Sequence, residues 1–498
     1  MGIGQTRSGF ASISTAYPPL TVRTIPLTRA LLHRLLRLLL LSTTAFAAAC
    51  SVTPPPSAEL PFRLPEAFAS PSQPEMAQSD AWWQRFQDAQ LNQFVELALT
   101  RNTGLAQALA RHKISEAQTR LSRADQLPQV GIGAGSTRQR QNLQGMPGTG
   151  ANNTLSTTHS ATLDISWELD LWGRLSALSA AAQADYLASG EQLRGMRQSV
   201  AAQVTRLYFE IVHARAQVTL SEHIVRSLGE MARQINNRVT VGITSPADGM
   251  LANANLDSAR AGLEQRREAL ERSLRQLEVL MGNYPSGQLP TAADLPALPS
   301  SPATGIPSEL LTRRPDVRAA ELGLLSAGYR RGAAQRSFLP SLSLSGSAGY
   351  AGSQLAQLFS ASNLIWSIAG HIVQPVFQGG RLTAQLDIAE GQHQELLHAY
   401  AETAVNALAE VESALVVDAL LLNRENALDR SASAAEEAVR VSYNRYLQGI
   451  DPFLNVLESQ QRALDGRSAH ITARHARLDN RIALHLALGG GFEQGPQP

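Results

Sequence analysis

The feature that most constrains this chain is a proline-free stretch of 69 residues between Gly173 and Gly242, rich in Ala, Leu, Gln, Arg and Glu. That composition favours helix. One continuous helix of this length would run about 100 Å at about 1.5 Å per residue. An ordinary globular core has no room for it, because helices there average about a dozen residues. The same interval recurs between Gly380 and Gly449. Each closing glycine is followed by a 40-residue segment, Gly242 to Gly282 and Gly449 to Gly489. Each long stretch is preceded by a 25-residue helical stretch ending in Leu-Pro, Thr103 to Pro128 and Pro315 to Pro340. Four matched intervals in one order mark an internal duplication, with a period of about 207 residues that is too long for a solenoid. The lengths predict a long hairpin per repeat, one arm continuous and the other made of two stacked pieces.

Between the short and long helical stretches lie segments of period two. His159 to Leu171 alternates, with Ala161, Leu163, Ile165, Trp167, Leu169 and Leu171 apolar and the residues between them polar. Its partner is Gln129 to about Gln141, with Val130, Ile132 and Ala134 in phase. The second repeat offers Ser341 to Tyr350 and Leu364 to Phe377, with Leu342, Leu344, Ala348, Tyr350, Trp366, Ile368, Ile372 and Val376 in phase. Such strands need one apolar face and one wet face, and ten to thirteen residues suffice to cross a bilayer when tilted, as about 9–11 do. The connecting segments 142–158 and 351–363 are long and polar, like outward loops of membrane barrels. Four strands cannot close such a barrel, and lipid tolerates no open sheet edge. Transmembrane strands therefore require a barrel shared between chains, eight strands from two or twelve from three. A small soluble β-sandwich capping a helical bundle is the competing arrangement. The glycines at 131, 133 and 135 alternate within a strand and open no helix, so they are not a nucleotide loop.

A net charge of +1 gives no nucleic-acid footprint. One cysteine excludes an intramolecular disulfide framework and a Cys-rich metal site. Residues 1–49 read as an export signal: Arg23, Arg29, Arg34 and Arg37 precede an apolar run, Leu38 to Ala49, too short to span a bilayer. It ends in Ala47-Ala48-Ala49-Cys50, which resembles a bacterial lipobox with Cys50 as the acylated first residue. Ser51 rather than Asp follows, favouring outer-membrane delivery. Residues 50–80 are Pro- and Ser-rich and read as an extended tether. The first repeat then covers 81–300, the second 301–491, and 492–498 form a tail. Trp82 and Trp83 read as packing the start of a helix.

The hairpin tips carry turn chemistry. Gly242 and Gly449 suit the position just past a helix, where φ is often positive. Ser245-Pro246 and Asp451-Pro452 read as N-cap followed by proline at the first helical position. Asp248 and Asn455 are equivalent, six residues after their glycines.

Several longer motifs carry a resemblance: Ala81-Trp82-Trp83 with Phe86, Asp125-Gln126-Leu127-Pro128, Ser166 through Arg174 (SWELDLWGR), Arg313 through Glu321 (RRPDVRAAE), Phe338-Leu339-Pro340, Pro375 through Arg381 (PVFQGGR), and Ala487 through Gly491. On these the chain resembles the TolC-like outer-membrane efflux channels, in their acylated lipoprotein branch, over about 80–491. The resemblance implies a mainly α protein with membrane β. Three chains, with four strands each, would form a twelve-stranded outer-membrane barrel continuous with a long periplasmic α-helical barrel. It implies a homotrimer, lipid-anchored at Cys50, that ducts small toxic solutes outward. A periplasmic adaptor protein, contacting Gly242, Ser245, Pro246, Asp248, Gly449, Asp451 and Pro452, would join it to an inner-membrane pump. The resemblance also implies a periplasmic iris near the second tip. Members often place an Asp where this chain has Tyr443; Tyr443, with Arg445 pairing to a neighbouring chain, is the expected constriction, and Glu436 and Glu437 lie two turns further away. No catalytic residue, cofactor or metal is expected, since no histidine pair forms the i, i+4 zinc motif with Glu. A type I protein-secretion duct and a soluble periplasmic coiled-coil scaffold are the alternatives.

Overall fold

The computed structural model describes residues 62–70, 81–142, 153–302 and 304–490. Cys50, the export signal, most of the 142–158 connection and the C-terminal tail lie outside the described residues. The helices, in chain order, are α1 (Ala89–Arg101) and α2 (Thr103–Ala124), then α3 (Arg174–Thr240) and α4 (Pro246–Leu280), then α5 (Pro307–Arg313) and α6 (Pro315–Arg336), and finally α7 (Arg381–Leu447) and α8 (Phe453–Ala487). The strands are β1 (Gln129–Asn142), β2 (Asn153–Leu169), β3 (Ser341–Gly352) and β4 (Leu364–Val373). The duplication is explicit in the lengths. The two long helices have 67 residues each, their return arms 35 each, and α2 and α6 22 each.

β1, β2, β3 and β4 form one antiparallel sheet in that order. The register pairs Val130 with Ile165, Ile132 with Leu163, Leu163 with Ala348, Trp167 with Leu344, and Ala348 with Trp366. Directly opposed residues share a face, so the in-phase apolar residues of all four strands form one continuous apolar surface. Ser343, Ser345, Ser347, Asp164 and Ser166 lie on the other.

The strand limits differ from the periodicity at several ends. β2 starts six residues before His159 and stops at Leu169, because Asp170 turns to other work. Its carboxylate accepts from the amides of Leu175 (3.0 Å) and Ser176 (2.7 Å) and caps α3, whose N-cap Gly173 has no side chain to do so. β3 runs two residues past Tyr350. β4 stops four residues short of Phe377: Pro375 has no N–H for the ladder, and the Gln374 side chain donates through Nε2 to the Phe338 carbonyl at 3.0 Å. The 351–363 connection is compact rather than open, with two 3-10 turns around a buried Leu358.

The strand-to-helix junction is knit by the residues of the SWELDLWGR motif. Trp167 Nε1 donates to the Gln126 carbonyl at 2.9 Å, Trp172 Nε1 to the Pro340 carbonyl at 2.7 Å, and Arg174 pairs with Glu168 at 2.7 Å. The indole bonds tie each repeat's Leu-Pro corner to the same junction.

α3 packs against α1, α2, α4, α6 and α8, while α6 bridges α3 and α7. The main core gathers Trp82, Trp83, Phe86, Phe94, Tyr208, Phe209, Leu277 and Ile482. Asp88 caps α1 through the amides of Gln90 and Leu91 and accepts from the buried Tyr208 hydroxyl at 2.6 Å. A second core lies around Leu310, Val317, Tyr400, Ala404 and Leu484. The described part of the tether, residues 62–70, forms no helix or strand and packs against this core. Phe62, Leu64 and Phe68 pack there, and the Ala69 and Ser70 amides donate to Glu412.

The RRPDVRAAE motif supplies the charged anchor of that core. Burial works against the charge of Arg314, but its bonds to Asp316 (2.6 Å) and Glu410 (2.6 Å) outweigh this and raise its pKa. Arg314 also donates to the Ala487 carbonyl at the end of α8, at 3.1 Å.

His485 is 2% exposed and stacks on Trp82 with ring centroids 5.3 Å apart. Burial pushes its pKa down to about 3, helped by Arg85 and Arg481. An unfolded histidine takes up a proton below its ordinary 6.5, while the folded one resists until about 3. Stability from this group is therefore complete above the unfolded value and is lost as pH falls through that window. His485→Phe keeps the stack and removes the titration. Thermal unfolding followed from pH 7 to pH 4 is expected to fall less steeply in the variant than in the wild type.

Candidate functional site

Two surfaces stand out, one on the sheet and one at the tips. On the sheet, the apolar face is uncovered: Ile132 is 87% exposed, Ile368 80% and Trp366 74%. Among the described residues, β1 pairs only with β2 and β4 only with β3, so both edges present free backbone donors and acceptors. In water such a face costs about 25 cal/mol per Å². In hydrocarbon it costs nothing, provided the edges are paired. None of the described helices is long and apolar enough to cross a membrane.

At the far end of the long helices, both tips are closed by the same device. Gly242 and Gly449 each have φ of +76°. The Gly242 amide donates to Val239 O and the Ile243 amide to Arg238 O. In the second tip the Gly449 amide donates to Tyr446 O and the Ile450 amide to Arg445 O. This pair of reversed bonds satisfies the last carbonyls of a helix. Ser245 caps α4 by accepting from the Ala247 amide at 3.2 Å, with Pro246 at the first position. Asp248 accepts from Thr244 Oγ1 at 2.7 Å, and Thr244 lies 3.2 Å from the Tyr446 hydroxyl, linking the two tips.

The second tip departs from the sequence expectation. α8 begins at Phe453 with Pro452 at its N-cap and no side-chain cap, so Asp451 does not cap it. Asp451 instead accepts from Arg445 Nε at 2.6 Å and Nη2 at 3.1 Å. Arg445 beside it holds Asp451 below the usual carboxylate range. Arg445 thus has an acid of its own chain as a partner. Tyr443 is half-buried and its hydroxyl donates to Gln234 of α3, fastening the second tip to the first hairpin. Glu437 is taken up by Arg440 at 2.9 Å, and Glu436 faces Arg467 at 4.0 Å. A shared apolar core lies under both tips, made by Met231, Ile235, Leu256, Tyr446, Phe453 and Val456. Exposed Val241 (67%), Ile243 (64%) and Ile450 (56%) ring the turns.

One cluster was not legible from spacing. No histidine forms an i, i+4 zinc motif with Glu along the chain, yet the fold brings His213 of α3 against His475 of α8, rings 4.8 Å apart, with Glu210 beside both.

The outer membrane efflux protein family model matches residues 94–283 and again 306–490, one match per repeat. The chain is 32% identical to the outer membrane protein OprJ of Pseudomonas aeruginosa over 417 residues, covering 83% of this chain and 87% of that protein. It is 31% identical to the cation efflux system protein CusC of Escherichia coli strain K12 over 419 residues, covering 83% and 89%. Among solved structures, the outer membrane protein VceC of Vibrio cholerae superposes with a TM-score of 0.78 at 28% identity, covering 84% of this chain and 100% of that one.

The tip geometry makes a direct prediction. An added Cβ at Gly449 meets nothing within 4 Å, so the cost of Gly449→Val is backbone strain alone, about 1–2 kcal/mol. Hydrogen exchange at the Ile450 amide is expected to speed up about tenfold, while strand amides keep the wild-type rate.

Proposed function

The chain belongs to the outer membrane efflux protein family, and from that premise we propose that it is the outer-membrane channel of a tripartite efflux system, assembled as a homotrimer and ducting small toxic solutes. The observation that carries the reading is a sheet whose apolar face is exposed and whose two edges are open.

The duplication says how the edges close. Within one chain, the joint between repeats is the pairing of β2 with β3 and of α3 with α6. The equivalent joint at the other end of the chain pairs β4 with β1 of the next copy, and α7 with its α2. Val416, Val417 and Leu420 of α7, exposed in the single chain, lie on the helix that this joint uses. Three copies supply twelve strands and a closed ring, with no open edge left in lipid. The polar faces of the strands then line the lumen. Serine and glycine there offer solutes a wet path without tight binding.

The duct carries no chemistry of its own and draws its energy from an inner-membrane pump. A periplasmic adaptor docks at the tips, where Gly242, Ser245, Pro246, Asp248, Gly449, Asp451 and Pro452 shape two similar turns edged by exposed Ile243 and Ile450. Cys50 carries the lipid anchor. A soluble coiled-coil scaffold has no use for an exposed apolar sheet. The cargo is proposed in the class of the relatives' names, which include cation, toluene and antibiotic efflux.

Purification in detergent, with mass measurement and planar-bilayer recording, tests the proposal. A particle of three chains with a small, mostly closed conductance is expected. A monomer that needs no detergent and carries no current would overturn it.

The rest state is held at the second tip, where Tyr443 ties α7 to α3 and Arg445 ties it to Asp451. Loss of the Tyr443 hydrogen bond in Tyr443→Phe costs about 1 kcal/mol, enough to raise the open-to-closed ratio about fivefold in single-channel records. Arg445→Ala in the same background is expected to add to that opening. Unchanged open probability in the double variant removes both residues from the gate.

A further inference from the structure

α3 and α8 run antiparallel, and they meet along a seam with unusual contents. Arg206 faces Asp479 at 2.8 Å, Glu210 faces His475 at 3.4 Å, His213 faces Thr472 at 3.4 Å, and Gln217 donates to the Ser468 carbonyl at 3.1 Å. The steps along α3 are four, three and four residues, and those along α8 are the same in reverse. These are the positions where a coiled-coil seam ordinarily carries apolar side chains. Here every rung is polar.

We propose that the middle of this seam, Glu210, His213 and His475, is a binding site for one divalent ion of the late first transition series, which staples α3 of the first repeat to α8 of the second.

The donor atoms of the three side chains all lie within 4.8 Å of one another. Glu210 reaches both rings, with Oε1 3.7 Å from His213 Nδ1 and Oε2 3.4 Å from His475 Nε2. His213 Nδ1 is sealed from solvent and has no hydrogen-bond partner. A buried nitrogen left so is costly and uncommon. An ion at the centre of the three groups gives that lone pair a partner.

The neighbouring groups suit ligation by Nδ1. The Thr472 hydroxyl gives its proton to the Ser468 carbonyl at 2.9 Å, which leaves its lone pairs to accept from His213 Nε2–H. Bonds of this kind to the non-ligating nitrogen orient metal-bound histidines. Gln217 Nε2, 3.4 Å from the same ring nitrogen, has the Ser468 carbonyl (3.1 Å) and the Thr472 hydroxyl (3.4 Å) to take its two protons, and its Oε1 is fixed by Arg266 and Ser468.

Two imidazoles and a carboxylate select zinc, nickel, cobalt or copper over magnesium and calcium, whose ligands are all oxygen. Three protein ligands leave a fourth position for water or a neighbouring side chain. The site belongs to one joint only. One repeat further along, at the period set by Gly242 and Gly449, the residues matching Glu210 and His213 are Val417 and Leu420, which cannot ligate.

The test uses untagged full-length protein in detergent, stripped with a chelator and titrated with Zn²⁺ by calorimetry and with Co²⁺ by visible absorption. One ion per chain is expected, with Co²⁺ bands of a four- or five-coordinate N/O site. His213→Ala and His475→Gln are each expected to abolish that ion, and Thr472→Val to weaken it by about tenfold. His398→Ala, on an exposed histidine elsewhere, is expected to bind as the wild type does. Size-exclusion profiles matching the wild type show that the variants remain assembled. No ion taken up by the wild type at micromolar Zn²⁺, or equal uptake by the His213 and His475 variants, overturns the site.

Discussion

The structure depends on one constraint: a backbone N–H or C=O that faces hydrocarbon has to be paired, and a four-stranded sheet leaves two rows of them unpaired. Everything above and below the sheet accommodates that. The strands run antiparallel in simple order, so the two free edges, β1 and β4, fall at opposite sides of the same sheet. The internal duplication makes those edges complementary, because β4 stands to the next β1 as β2 stands to β3. A ring of copies is then the closure that repeats one joint throughout.

The long helices follow from the same requirement. Each strand pair is welded to its helices through Asp170, Trp167, Trp172 and the Leu-Pro corners, so the helical columns inherit the spacing of the strands. α6 fills the joint between repeats within the chain, and α2 is its counterpart at the joint between chains. The seams join apolar cores shared between the repeats to a few buried charged anchors. Arg314 collects Asp316, Glu410 and the end of α8, and Arg481 reaches both Asp418 and the Pro299 carbonyl. Removing one partner of such a group leaves a buried charge, so these contacts fix register as well as strength.

The tips show how local turn chemistry and tertiary contact divide the work. Gly242, Gly449 and Ser245 act through backbone torsion and a cap one or two residues away, and all three were legible in sequence. Asp451-Pro452 has the same local pattern as Ser245-Pro246, yet Asp451 is drawn off by Arg445, a stronger partner than a neutral amide. Tyr443 likewise finds Gln234, more than two hundred residues distant, and spacing carries no signal of that. The limits of β2 and β4 were misread for a related reason: period-two alternation continues past the point where Asp170 starts capping and Pro375 stops donating.

By itself the sequence determined the periodic elements, the duplication, the phase of the apolar strand face and the glycines that reverse the chain, because each is set by intervals of a few residues or by a repeat of fixed length. Motif resemblance added the family. Tertiary structure alone decided which side chains meet across the repeats: Trp82 on His485, Tyr208 on Asp88, the tether's Phe62 and Phe68 on the second core, and His213 with His475 beside Glu210. Those meetings depend on the register of α3 against α1 and α8, and on where the linker lies against α7 and α8. A shift of one residue in the helical register would turn Tyr208, His213, His475 and His485 by about 100° around their helices, and no local pattern fixes it.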